Sequence, residues 1–260
     1  FYFGENDDTE YIEESYELMV SEVSNLQYKS YLSVAKELNE IDVNNIGPWV
    51  LDNEGNILYD LENGYIGWNG TNFEIDGTQN PLLPNYPVTH VSYYGAKHFA
   101  EFFEFQLPTE IQWEKAAADD GLFEYPWGED FDDDNNPINE IKSSYANYFE
   151  NEDLDGLSEP YEPGGENNIF SDDPGLAPVR YLEGEIDEFW FFNVCPDECQ
   201  GFNHMAGNVW EWVSHENGYS DSRMARGGSW RSPKQELRVW SKKYLEAHST
   251  GDHVGFRCVK

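Results

Sequence analysis

The segment ANYFENEDLDGLSEPYE, residues 146–162, concentrates oxygen donors. Asn151, Asp153, Asp155, Gly156, Glu159 and Glu162 fall at positions 1, 3, 5, 6, 9 and 12 of a twelve-residue loop, the spacing with which an EF-hand wraps calcium. Pro160 interrupts that loop and no helix pair flanks it, so the chemistry is better defined than the motif. Asp155 is the best single calcium candidate. The plain alternative is an acidic, solvated loop.

Softer donors are fewer. The three cysteines are Cys195, Cys199 and Cys258, with no CxxC pair of the zinc type. Cys195 and Cys199 are close enough to bridge locally, and Cys258 could instead reach either of them. The six histidines, His90, His98, His204, His215, His248 and His253, show no local spacing of an iron or zinc site. His248 and His253 flank STGD as polar loop residues. No glycine-rich phosphate loop or nucleophile triad is present.

The formal net charge is −36. A polyanion such as nucleic acid would be repelled, whereas divalent cations, a salty or extracellular setting, or a cationic partner fit. Aromatic residues make up 16% of the chain, enough for a folded core despite low mean hydropathy. No apolar run approaches the roughly 20 residues of a membrane span. There is no signal-like segment, and the first residues read as an internal or processed end.

Three helices must position these groups. SNLQYKSYLSVAKELNEI opens with Ser24 and has Gln27 three residues on, a capping box; Leu26, Tyr31, Ala35 and Leu38 give its stripe. SYYGAKHFAEFF predicts a second helix with Tyr94, His98 and Phe102 inward. LPTEIQWEKAAADD repeats the capping box at Thr109 and Gln112, with Ile111, Trp113, Ala116 and Ala117 buried. NILYDLENGYIGWNGTNFEI reads as short strands joined by Asn-Gly turns. Residues 119–200 are mostly irregular and acidic. NVWEWV, ARGGSW and VGFRCV are short aromatic strands between turns. No repeat or linker is evident, so residues 1–260 are expected to form a single domain.

The ordered set SEVSNLQYKSYL, YPVTHVSYYGAKHFAEFF, LPTEIQWEKAAA, YPWGED, HMAGNVWEWV, RGGSW and GFRCV resembles the formylglycine-generating enzyme family, the sulfatase-modifying factor domains. The resemblance covers about residues 10–260 and rests on the order of seven motifs rather than on any one. It implies an α+β, loop-rich variant of the C-type lectin fold with little regular secondary structure and bound calcium. Family oxidases convert a sulfatase cysteine to formylglycine with molecular oxygen and copper(I) held by two cysteines. Relatives include iron-dependent sulfoxide synthases, kinase-fused and secretion-associated proteins, and lectin-like variable proteins.

Counted from Ser229, the copper-binding positions of the family fall on Ser232 and Leu237. Neither side chain holds copper(I), which prefers thiolates, so copper is not expected. The family's partner position for a disulfide to Cys258 falls on Ala100, so that bridge is not expected either. The resemblance implies a first calcium site at Asn147, the Tyr148 carbonyl, Asp155 and the Leu157 carbonyl; Asp153 joins through the loop spacing above. It implies a second site at His204, the Gly207 and Val209 carbonyls, and Glu211. His204 departs from the oxygen ligand expected there, because imidazole suits a hard cation poorly.

The resulting expectation is a non-catalytic, calcium-stabilised, lectin-like module of a secreted, periplasmic or cell-surface protein. It would bind a protein, peptide or glycan through the loops near residues 215–253, with Trp230, Ser232, Trp240, His248 and His253 as candidate contacts. Two alternatives stand beside it: a metal-dependent oxidase with a rearranged site, and a structural subunit of an envelope or secretion assembly.

Overall fold

The first helix, α1 (Asn25–Glu37), starts where Ser24 leaves the helical backbone. The Ser24 hydroxyl accepts from the Gln27 amide, and the Gln27 side chain accepts from the Ser24 amide at 2.8 Å. Both orphan donors of the first turn are thereby met. Tyr28, Tyr31, Leu32 and Ala35 form its buried stripe; Leu38, placed on that stripe by spacing, is exposed, because the helix has ended at Glu37 and the chain turns away.

The computed structural model describes residues 2–4, 8–10, 12, 15–43, 47–76, 78, 80–118, 124–126, 130–131, 137–138, 146, 176–177, 179, 204–214 and 221–260. A short hairpin, β1 (Tyr2–Phe3) with β2 (Asp8–Thr9), precedes α1. An antiparallel sheet follows, β3 (Ile41–Val43), β4 (Trp49–Asp52) and β5 (Ile57–Asp60), in that order. Next comes the hairpin of β6 (Ile66–Trp68) and β7 (Phe73–Ile75), closed through Asn69–Asn72. The Asn69 carboxamide oxygen accepts from the Thr71 and Asn72 amides, the turn chemistry expected of Asn-Gly.

The second helix, α2 (Tyr93–Phe102), is capped by Ser92. It buries Tyr93, Gly95, Ala96, Phe99 and Ala100. The expected inner residues Tyr94, His98 and Phe102 are only half-buried, so the face is turned by one residue. Gly95 sets that rotation: a Cβ there would overlap the Leu58 carbonyl of β5, so the helix lies flush on the strand along Gly95. The third helix, α3 (Glu110–Ala118), carries the Thr109–Gln112 capping box. It buries Trp113, Glu114, Ala117 and Ala118 rather than Ile111 and Ala116. The reason is Glu114, drawn inward by Arg226.

Beyond the two-stranded pair β8 (Asp130–Phe131) and β9 (Pro137–Ile138) lies the main sheet. It contains β10 (Trp210–Trp212), β11 (Ser222–Arg226), β12 (Lys242–Glu246) and β13 (Val254–Gly255) in the order β12-β11-β10-β13. Only the β10–β13 pair is parallel. The C-terminal segment is bound on two sides. Val259 bridges both Leu18 and Gln106, and the amides of Met19 and Val23 donate to the carbonyls of Cys258 and Phe256.

Tyr28, Tyr31, Phe99, Phe103 and Phe256 form one aromatic core joining α1, α2 and the C-terminal segment, with Tyr28 stacked on Phe99 at 5.7 Å. Such pairs add about 0.5–1.5 kcal/mol each beyond burial. The architecture is α+β, with small sheets, of which the four-stranded one is mixed, and few helices. Among the described residues, no helix is long and apolar enough to cross a membrane.

Candidate functional site

All three residues of β10 are buried. Side chains alternate along a strand, so Trp210 and Trp212 share one face and Glu211 takes the other. Trp212 packs edge-on against Tyr93. Both tryptophans of the WEW motif are therefore core. Glu211 faces Arg257, which follows β13: Oε1 lies 2.6 Å from Nη2 and Oε2 lies 2.7 Å from Nε. Trp113 Nε1 donates to Oε2 at 2.7 Å. Arg257 Nη1 donates to the carbonyls of Met19 and Val20, both at 3.1 Å. One guanidinium thus ties the N-terminal segment, β10 and the C-terminal segment together. Burial raises the Glu211 carboxyl above its ordinary range, with Arg257 opposing only in part.

Beside this pair lies Glu22, which is 0% exposed. Its Oε1 accepts from Asn208 Nδ2 at 2.9 Å, and its Oε2 has no partner. Burial pushes this carboxyl up to about 7, with Arg257 opposing. Asn208, at φ 60°, also pairs both ways with Ala177: Oδ1 accepts from its amide at 2.9 Å, and Nδ2 donates to its carbonyl at 3.1 Å. The side chain thereby imitates a strand partner and docks residue 177 on the core. Sequence reasoning gave Glu22 and Asn208 no role; both sit among other polar residues, in SEVSN and HMAGNVWEW, so nothing local marks either one out.

The second calcium turn implied by the resemblance lies among the described residues. Gly207 and Val209 are buried in the turn, with the Gly207 amide donating to the Gly227 carbonyl. Both oxygens of Glu211, however, are committed to Arg257 and Trp113. A calcium ion on Glu211 would sit against a buried guanidinium, and His204 supplies a nitrogen where an oxygen is needed. This donor set does not fit calcium. The first implied site, Asn147, Tyr148, Asp153, Asp155 and Leu157, lies outside the described residues, as do Cys195, Cys199 and His215. Among the described residues, no three His, Cys, Asp or Glu side chains gather as metal ligands.

The loop after β11 contains the positions where the resemblance places copper thiolates. Gly227 and Gly228 have φ of 95° and 77°, open to glycine at no steric cost. A Cβ on Gly228 would come within 2.8 Å of the Glu236 carbonyl oxygen. Ser232 is buried, its hydroxyl 3.3 Å from Ser229 Oγ and donating to Glu236 Oε2 at 2.6 Å. Leu237 is 0% exposed and packs with Ala206 and Ala146. Cys258 is wholly buried and unbridged, and burial holds its thiol well above the ordinary range.

The remaining candidate contacts separate. Trp230 is buried against Leu83, Tyr86, Leu176 and Val209, its Nε1 donating to the Asp252 carbonyl at 3.1 Å. It is the wall beneath the loop, with Arg231 over its ring at 4.5 Å. His253 Nδ1 lies 3.1 Å from Asp252 Oδ1, and Asp252 also pairs with Arg231. His90, at φ 57°, belongs to the same charged group. Burial lowers the pKa of both histidines, while Asp252 opposes. His248 is elsewhere, exposed and against Tyr94 at 4.6 Å. Trp240 is half-buried, with Arg238 5.9 Å from its ring. His253, Asp252, Arg231 and His90 thus form one polar patch, with His248 and Trp240 outside it.

The fold and this loop define a sulfatase-modifying-factor type of domain. The chain belongs to the sulfatase-modifying factor enzyme 1-like domain family, whose model matches residues 1–260. It is 28% identical over 183 residues to the inactive C-alpha-formylglycine-generating enzyme 2 of Bos taurus, covering 67% of this chain and 50% of that protein. It is 28% identical over 202 residues to the formylglycine-generating enzyme of Thermomonospora curvata, covering 68% of this chain and 56% of that protein. The serine/threonine-protein kinase pkn1 of Chlamydia pneumoniae matches at 28% over 199 residues, 69% of this chain and 25% of that protein. The chain therefore spans between a quarter and just over half of these relatives. Among solved structures, PvdO from Pseudomonas aeruginosa superposes with TM-score 0.52 at 17% identity, covering 93% of this chain and 78% of that one. CarF superposes with TM-score 0.53 at 17% identity, covering 100% and 92%.

Proposed function

We propose that this domain is a non-catalytic member of its family, a binding module stabilised by calcium. One observation carries the reading. Where copper chemistry needs two thiolates, the chain has a serine hydroxyl bonded to Glu236 and a leucine packed in an apolar cluster. Neither group can hold copper(I) or pass electrons to oxygen. The inactive bovine relative and the Chlamydia relative named as a kinase are in keeping with a family scaffold used outside oxidation.

The ligand would be a protein, peptide or glycan, met by the polar patch of His90, Arg231, Asp252 and His253 and by the outer residues Trp240 and His248. Calcium would be held by the oxygen-rich segment at 147–157. A secreted, periplasmic or cell-surface setting fits the acidic composition and the calcium reading. Elemental analysis of the purified chain tests the account. Calcium without copper, and no oxygen uptake with a thiol peptide, is expected. Stoichiometric copper with oxygen uptake would overturn it.

A further inference from the structure

An Asn-Gly pair is a chemically weak point in a backbone, because glycine has no side chain to keep its amide nitrogen from the preceding carboxamide. The sequence contains three such pairs: Asn63–Gly64, Asn69–Gly70 and Asn217–Gly218, the last outside the described residues. The other two have the same pair chemistry in opposite surroundings.

Asn63–Gly64 is held. The Gly64 amide donates to the Asp60 carbonyl at 3.1 Å. Asn63 donates through its backbone amide to Asp60 Oδ1 at 3.3 Å and through Nδ2 to Asp60 Oδ2 at 2.8 Å. A Cβ on Gly64 would overlap the Tyr59 hydroxyl, so the turn is packed against β5. The Gly64 nitrogen cannot lose its proton and reach the Asn63 carboxamide without first giving up its bond to Asp60.

Asn69–Gly70 is open. Residues 69–72 are all exposed. Gly70, at φ 97°, would have nothing within 4 Å of an added Cβ. Among the described residues its amide has no hydrogen-bond partner. The Asn69 carboxamide, by contrast, is fixed in place. Oδ1 accepts from the Thr71 and Asn72 amides at 2.9 and 2.8 Å, and Nδ2 donates to Glu74 Oε1. Two amides aimed at Oδ1 stabilise the negative charge that grows there when a nucleophile adds to Cγ.

We propose that Asn69 is a site of spontaneous deamidation whose product loosens the β6–β7 hairpin. The Gly70 amide gives its proton to a base in solution, and its nitrogen attacks Asn69 Cγ. The new Cγ–N bond closes a cyclic imide as the Cγ–Nδ2 bond breaks, and Nδ2 takes up protons and leaves as ammonium. Water then opens the ring at either carbonyl, giving aspartate or isoaspartate. The sum is asparagine and water giving a carboxylate and ammonium, with no oxidation. The new carboxylate faces Glu74 where Nδ2 stood, so a hydrogen bond becomes a like-charge contact across the hairpin. Isoaspartate also lengthens the backbone of a turn that the Asn69 amide and the Asn72 carbonyl close at 3.1 Å. The strand pair next to that turn is Trp68 and Phe73, with rings 4.8 Å apart. The site does not depend on the proposed binding role.

The test is peptide mapping by mass spectrometry of the full chain, kept folded in mildly alkaline buffer and, in parallel, unfolded in urea. In the folded chain the Asn69 peptide should gain the mass of an amide-to-acid change about tenfold faster than the Asn63 peptide, the factor that one hydrogen bond on the attacking amide is worth. In urea the two should convert at similar rates, because only the folded surroundings separate them. Equal rates in the folded chain, or faster conversion at Asn63, overturns the site. Asn69→Asp reproduces one product directly. Its melting temperature should fall below the parent's, and adding Glu74→Gln should restore part of the loss. An Asn69→Asp chain as stable as the parent overturns the loosening of the hairpin.

Discussion

Glu211, on β10, and Arg257, two residues beyond its parallel neighbour β13, meet as a bidentate, wholly buried ion pair, with N–O distances of 2.6 and 2.7 Å. They are 46 residues apart in sequence. The pair takes the carboxylate that a calcium-binding reading of HMAGNVWEW requires, and uses it to lock the two ends of the domain together.

Removing the guanidinium alone should be severe. Arg257→Met leaves Glu211 buried and unpaired, and frees the Met19 and Val20 carbonyls. Losing one partner of a buried pair costs about 3–5 kcal/mol, which urea unfolding would show as a lower midpoint. Adding Glu211→Gln removes the stranded charge and should recover part of the loss. A double variant no more stable than Arg257→Met would contradict the ion-pair account.

Local signals were readable where the physics is local. Ser24 with Gln27 and Thr109 with Gln112 each announce a helix start, because a capping box needs only residues three apart. The helix faces were less legible. In SYYGAKHFAEFF nearly every turn offers an aromatic, so periodicity alone favoured Tyr94, His98 and Phe102. The close approach of Gly95 to Leu58 turned the face toward Tyr93, Ala96 and Ala100. Glu114 reads as a surface residue until Arg226, 112 residues later, supplies its partner. The motif order made the family readable, and counting from Ser229 singled out Ser232 and Leu237, the positions on which the proposed loss of copper chemistry rests. The Glu22–Asn208–Ala177 connection depends on contacts 31 and 186 residues apart, which no spacing rule reaches.

The His90 patch should make stability sensitive to mild acid. Burial lowers the folded pKa of His90 and His253 below the ordinary 6.5. The unfolded chain therefore takes up protons first. Stability from these groups is present above pH 6.5 and is lost as pH falls through the unfolded value toward the lower folded one. His90→Asn tolerates the left-handed backbone and removes one titrating group. Its melting temperature, followed from pH 7.5 to 5, should fall less steeply than the parent's. Parallel slopes would contradict the assignment.

Calcium bound only by the native state should raise its stability by about 2.7 kcal/mol at a hundredfold excess over Kd. For a domain of this size that corresponds to about 5–10 °C in Tm. A chelator should remove the increment, and Asp155→Ala should blunt the response more than Glu159→Ala. Equal calcium titrations for the two variants would remove Asp155 from its role.

The central claim is that Ser232 and Leu237 leave this domain without oxidase chemistry. The most direct measurement is mass spectrometry of a sulfatase-derived cysteine peptide incubated with the purified chain, copper(I), a reductant and oxygen. The account predicts a peptide mass unchanged relative to a protein-free control. Conversion of the cysteine to formylglycine above that control would contradict it.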